Sequence, residues 1–75
     1  MSIEVGSFVR VKPHTTYQHL SGGAIINPPK EHQHNGYHRV EVLSLDDDPV
    51  YGTVVEVSVS GMVDYVPLET CEVVS

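Results

Sequence analysis

The residues with the clearest chemical potential are histidines that crowd one short segment of the chain. Residues 31–38 read EHQHNGYH and hold three imidazoles. Imidazole nitrogen is a common ligand of Zn²⁺ and of similar divalent ions. Side chains two apart on a strand point to the same side. His32 and His34 therefore form a candidate metal site.

A hairpin over the same segment would work against a larger metal site. Asn-Gly is a strong signal for a two-residue hairpin turn, and it occurs here as Asn35-Gly36. Pairing across that turn sets three residue pairs opposite one another: His34 with Tyr37, Gln33 with His38, and His32 with Arg39. A regular hairpin thus places His38 on the other face and a cation beside His32, so only an irregular loop permits a three-histidine site. The alternatives are a solvated polar loop and a response to pH, since imidazole titrates near neutrality.

Other potentially reactive groups favour structural roles. The run Asp46-Asp47-Asp48 lacks the alternate spacing and closing glutamate of an EF-hand Ca²⁺ loop, so an exposed turn is expected. Cys71 is the single cysteine, has no histidine near it in sequence and sits at an inward strand position, which predicts a buried, inert thiol. The chain has no serine-centred elbow and no phosphate-binding glycine loop. We therefore predict that the protein is not an enzyme.

Tyrosines supply a second kind of candidate site. Tyr17 and Tyr37 fall in a long loop, and Tyr51 precedes the central strand. Exposed tyrosines combine apolar area with a polar group and often form contact surfaces. The predicted partner-binding residues are Tyr17, His19, Tyr37 and Tyr51. The alternative is that these rings pack within the loops.

Five short strands are predicted to position these side chains. Fourteen of the 75 residues are valine, which favours strands because its χ1 angle is stiff. A loop over residues 13–36 is predicted to fold back as an irregular hairpin, with Ile25 and Ile26 holding it to the core. The strands are predicted at residues 8–12, 39–45, 53–60, 63–66 and 71–74, with a helical turn at 67–70.

This order of elements resembles the SH3-like small β-barrel. The segment GSFVRV at residues 6–11 resembles the Gly-x-x-Val-x-Val opening of such barrels, and residues 52–61 resemble the central strand and distal hairpin. VPLE at residues 66–69, followed by CEVV, resembles the proline-led turn into the last strand. The resemblance implies an all-β, five-stranded small barrel with a long first loop, as a single domain over residues 1–75. In size and style the chain is similar to small accessory subunits such as the variable chain of ferredoxin–thioredoxin reductase, which implies an accessory role.

The sequence departs from SH3 domains that bind proline-rich peptides. Those domains use a tryptophan and an acidic long loop, whereas this chain has no tryptophan and a long loop rich in histidine. Binding of proline-rich peptides is therefore disfavoured.

Length and charge narrow the function classes further. A chain of 75 residues buries a modest core and leaves little room for a deep substrate pocket. The net charge is −6, divided into +2 over residues 1–40 and −8 over residues 41–75, which disfavours nucleic-acid binding. No apolar stretch is long enough to span a membrane, no signal peptide is recognisable, and the lone cysteine excludes an intrachain disulfide. These features favour the cytoplasm and no membrane association.

The sequence thus predicts a small non-catalytic protein–protein interaction or accessory subunit that works through residues 13–38. A protein partner with a basic surface is expected, and the oligomeric state stays open. The alternative function is metal or small-ligand binding through His32 and His34, joined by His14 or His38. Apart from Zn²⁺ or another divalent metal in that alternative, no cofactor is expected.

Overall fold

The computed structural model describes residues 2–17, 30–49 and 51–74, and within them most residues lie in β-strands. This confirms the all-β prediction. A single-turn 3₁₀ helix spans Leu68–Thr70. Among the described residues, no helix has the length and apolar character needed to span a membrane. The strands are β1 (Phe8–Val11), β2 (His14–Tyr17), β3 (Glu31–His34), β4 (Tyr37–Asp48), β5 (Gly52–Val59), β6 (Met62–Pro67) and β7 (Cys71–Val74).

The five predicted strands form one antiparallel sheet in the order β6-β5-β4-β1-β7. Its centre is β4, which has 12 residues and is long enough to pair with β1 at one end and β5 at the other. Among the described residues β6 and β7 are edge strands that do not pair with each other. A five-stranded sheet is therefore present, and its closure into a barrel stays a prediction.

Strand β4, which corresponds to the strand predicted at residues 39–45, is longer than predicted. We expected the three aspartates to break it after Leu45, but β4 continues through Asp48 because β5 pairs with it as far as Gly52. Ladder hydrogen bonds outweigh the low strand propensity of aspartate here. Asp46 and Asp47 are exposed, as expected for solvated carboxylates.

The remaining two strands, β2 and β3, form a separate antiparallel ribbon, hereafter the ribbon. Its register runs from His14 opposite His34 to Tyr17 opposite Glu31. The expectation that the long loop folds back on itself is met by this pairing. Ile25 and Ile26 lie outside the described residues.

The predicted hairpin at Asn35-Gly36 is wrong. These residues do not pair β3 with β4; they pass the chain from the ribbon to the main sheet, where Tyr37 lies opposite Val11 of β1. Gly36 has a φ of 78°, and a Cβ there would collide with the carbonyl oxygen of Val11. Glycine is required because only a residue without a side chain fits this close crossing.

The core of the sheet is built from valine. Seven valines are buried together, and Val59 is partly buried against them. Leu68 packs against this cluster, whereas Phe8 is only partly buried and carries the guanidinium of Arg39 4.0 Å from its ring centroid. The buried cluster consists of Val9, Val11, Val40, Val42, Val55, Val57 and Val66.

Candidate functional site

The ribbon has a polar inner face and an exposed outer face. Residues opposite one another in an antiparallel pair share a face, and so do residues two apart on one strand. Burial follows this rule, because Thr16 and His34 are buried whereas Thr15 and Gln33 are exposed. The inner face carries His14, Thr16, His32 and His34.

His34 is held by hydrogen bonds to both of its ring nitrogens. The side chain is only 8% exposed, its Nε2 lies 2.8 Å from Asp64 Oδ2, and the Gly36 amide donates to its Nδ1 at 2.9 Å. A backbone N–H can only donate, so Nδ1 is the acceptor and the ring proton sits on Nε2, from which it is donated to Asp64. This arrangement fixes both the tautomer and the orientation of the ring.

Asp64 on β6 collects donors from three places in the chain. Its Oδ2 also accepts the hydroxyl of Tyr37 at 2.6 Å, and its Oδ1 accepts the Tyr65 amide at 2.8 Å. Burial, followed by the hydrogen bond and the charge of Asp64, raises the pKa of Tyr37 to about 12. We call Asp64, His34, Tyr37 and His14 the Asp64 cluster; it fastens the ribbon and the start of β4 to the edge strand β6.

His14 completes the cluster by stacking. Its ring lies 4.6 Å from that of His34, measured between centroids, at an interplanar angle of 13°. Its Nδ1 donates to the carbonyl oxygen of Lys12 at 2.8 Å, since a carbonyl can only accept. Tyr37 and His34 form a T-shaped contact with centroids 5.1 Å apart at an interplanar angle of 84°, so the ring of His34 contacts both of the others.

This geometry bears on the predicted metal site. His32 and His34 do share the inner face, and His38 is exposed on β4. However, both nitrogens of His34 are engaged in hydrogen bonds, so metal ligation there requires His34 to leave Asp64 or Gly36. In residues 2–17, 30–49 and 51–74, no group of three or more His, Cys, Asp or Glu side chains is placed to hold a metal ion.

The predicted partner-binding tyrosines are half-buried rather than exposed, and they separate into two places. Tyr17 at the far end of the ribbon meets Tyr51, with ring centroids 5.8 Å apart and a tilt of 55°. The Tyr51 amide donates to Asp48 Oδ1 at 3.0 Å, and the Tyr17 hydroxyl reaches Glu31 at 3.5 Å. Tyr37 belongs instead to the Asp64 cluster, and His19 lies outside the described residues. Burial raises the pKa of Tyr51, which keeps its hydroxyl protonated.

Comparison with known proteins adds no relative. No protein-family model matches the chain, and searches of curated proteins and of solved structures return no match. The chemistry of the site therefore rests on its own side chains.

The sequence reasoning missed Asp64, although a signal for it was present. Asp64 lies opposite Val57, a core residue, so its strand position faces inward. An acidic residue at an inward position needs hydrogen-bond donors. Pairing of the two strands about Ser60-Gly61 would have identified Asp64 as a residue in search of partners.

Cys71 is half-buried rather than buried as predicted, and its surroundings disfavour reactivity. Its Sγ donates to the Pro67 carbonyl oxygen at 3.7 Å. Burial raises its pKa, with a smaller opposing contribution from Thr70. The reactive thiolate is therefore disfavoured.

Proposed function

We propose that this protein is a small non-catalytic interaction or accessory subunit that binds a protein partner through its tyrosine surface. The tyrosine surface comprises the rings of Tyr17 and Tyr51 with the flanking carboxylates of Glu31 and Asp48. The observation that carries the proposal is the contact between the two rings, which joins the ribbon to the β4–β5 connection. Tyrosine is enriched among residues that dominate binding energy at protein interfaces.

Charge favours a basic partner. Glu31, which belongs to the tyrosine surface, is exposed, and so are Asp46 and Asp47, which immediately precede Asp48 in the sequence. Residues 41–75 contain no lysine or arginine. Complementary charge accelerates association and sets orientation, whereas the same acids repel nucleic-acid phosphates.

A non-catalytic role is supported by the chemistry of the Asp64 cluster. Both nitrogens of His34 and the hydroxyl of Tyr37 are already engaged, so neither is poised to take up a substrate proton. The thiol of Cys71 is the free cysteine, and its raised pKa argues against a nucleophile. A single free thiol also fits a reducing compartment such as the cytoplasm.

We propose further that the sheet closes into an SH3-like barrel. The strand order β6-β5-β4-β1-β7 supports this, since the last strand returns to pair with the first after the 3₁₀ turn. The register shifts of β4 beside β1 and between Val42 and Ser44 also support it, because bulges bend strands and increase their twist.

The test is affinity purification from the native cell with the full chain as bait. Tyr17→Ala and Tyr51→Ala should each lose a partner that the wild-type chain retains, with at least a tenfold weaker Kd when that partner is purified. Met62→Ala is the matched control, because Met62 is 74% exposed and lies on β6 rather than on the tyrosine surface. Equal retention of every partner by all three variants would reject the tyrosine surface.

A further inference from the structure

A β-bulge concentrates basic side chains on the outer face of an otherwise acidic protein. Val9 pairs with Val40 and Val11 pairs with Tyr37, so Arg10 alone faces both His38 and Arg39. The two neighbouring β4 residues are therefore directed away from the core beside Arg10. Bulges commonly re-aim side chains in this way at binding sites.

A cleft opens beside this bulge, at the end of the ribbon away from the tyrosine surface. It has a volume of about 110 Å³, and the described residues that line it include Arg10, Asn35, Gly36 and His38 and none with a carboxylate side chain. Most drug-sized ligand pockets occupy roughly 300–1,000 Å³, so this cleft fits one small chemical group. Arg10, Asn35 and His38 all carry N–H donors, which is the chemistry that recognises an oxyanion.

The present partner of Arg10 indicates which oxyanion. The Oε1 atom of Glu72 on β7 lies 3.2 Å from Arg10 Nη1. The side chain of Arg10 is 49% exposed and that of Glu72 is 54% exposed. An ion pair this exposed is weak and easily exchanged. The guanidinium has five N–H donors in a planar fork, and the bond to Glu72 uses one nitrogen of it.

We propose that this cleft binds a carboxylate group presented by a partner, with Arg10 as the charged anchor and Glu72 as an internal competitor. Asn35 and His38 supply the further N–H donors. A carboxylate is favoured over a phosphate because the chain carries −6 overall and Glu72 already offsets Arg10, so a dianion would meet net repulsion. Arg39 stays outside the site because its guanidinium stacks on Phe8.

The experiment is an amide chemical-shift titration of the full chain with sodium acetate, at ionic strength held constant with sodium chloride. We expect saturable shifts in the millimolar range at the amides of Asn35, Gly36 and His38. Glu72→Gln should tighten acetate binding by about two- to fivefold, since it removes the competitor. Arg10→Gln should abolish saturation, while the matched control Arg39→Gln should leave the curve unchanged.

The same spectra report whether each variant is folded, so loss of binding is separable from loss of structure. Sodium phosphate at equal ionic strength forms a second arm. Tighter saturation with phosphate than with acetate would overturn the carboxylate assignment. Shifts that match those of chloride, or an Arg10→Gln curve equal to the wild type, would overturn the site itself. Neither result bears on the tyrosine surface.

Discussion

The five-stranded sheet and the ribbon are held in place by different forces. The sheet buries seven valines around one core, and apolar burial is non-directional and scales with area. The ribbon contains no aliphatic side chain in either strand, since its sequences are HTTY and EHQH. Among the described residues, the contacts that attach it are hydrogen bonds and ring contacts, above all those of the Asp64 cluster.

This difference teaches what each kind of attachment can specify. A valine core tolerates small shifts, because any arrangement that removes apolar surface from water is favourable. Hydrogen bonds weaken steeply with distance and angle, so the Asp64 cluster fixes one position of the ribbon. The ribbon is therefore held in one position, but its packing can be lost while the sheet stays folded. Three changes test this difference between the two regions.

The largest effect is expected from Val57→Ala in the sheet. Val57 is fully buried, and removing two methyl groups loses transfer free energy and leaves a cavity. We expect a loss of about 2–3 kcal/mol in the free energy of unfolding, measured by urea denaturation. Hydrogen exchange should accelerate across the whole molecule, because the sheet supports every element. Acceleration confined to β5 would contradict this.

A somewhat smaller and more local effect is expected from Asp64→Ala. It leaves the Nε2–H of His34 and the hydroxyl of Tyr37 without their acceptor, which should cost about 2 kcal/mol. Amides of β2 and β3 should lose exchange protection while those of β5 retain it. Asp46→Ala is the control, since Asp46 is exposed on β4 and should change stability by less than about 0.5 kcal/mol. Equal exchange profiles for the Asp64 and Val57 variants would remove the distinction between the two regions.

The smallest effect concerns alkaline pH. The folded-state pKa of Tyr37 is about 12, above its ordinary value of 10.0, so folding favours the protonated phenol. The associated stability is complete below pH 10 and is lost as pH rises toward 12. Partial exposure of Tyr37 limits the loss to about 1–2 kcal/mol. Urea denaturation of the wild type and of Tyr37→Phe at pH 9 to 12 should give curves that converge; a constant difference would show that Tyr37 does not titrate in this range.

The sequence predicted the sheet far better than the ribbon. Alternating valines on residues 53–60 depend only on neighbours two apart, so a local pattern identifies both the strand and its buried face. Asn35-Gly36 has an equally strong local signal, but the partner of β3 lies before a long loop and not after the turn. A hairpin rule considers only adjacent segments and cannot detect this.

The Asp64 cluster was beyond local patterns for a related reason. Tyr37 and His34 lie 27 and 30 residues from Asp64 along the chain. The sequence pattern around His34 predicts a metal ligand, whereas the partner of His34 in the structure is the carboxylate of Asp64. Polar clusters of this kind are specified by the fold as a whole, and their members reveal themselves only when the strand register is known.

The hydrogen bonds at the base of the ribbon also set the position of its far end, where Tyr17 contacts Tyr51. Gly36 and Asp64 form hydrogen bonds with His34 at the base of the ribbon, while Tyr17 and Glu31 lie at the far end of the ribbon. At roughly 3.3 Å per residue the ribbon is about 10 Å long, so a tilt of the ribbon by about 10° at its base displaces its far end by about 2 Å. That displacement is enough to separate Tyr17 from Tyr51. A substitution at the base of the ribbon would thus change the geometry of the tyrosine surface without altering any residue of that surface.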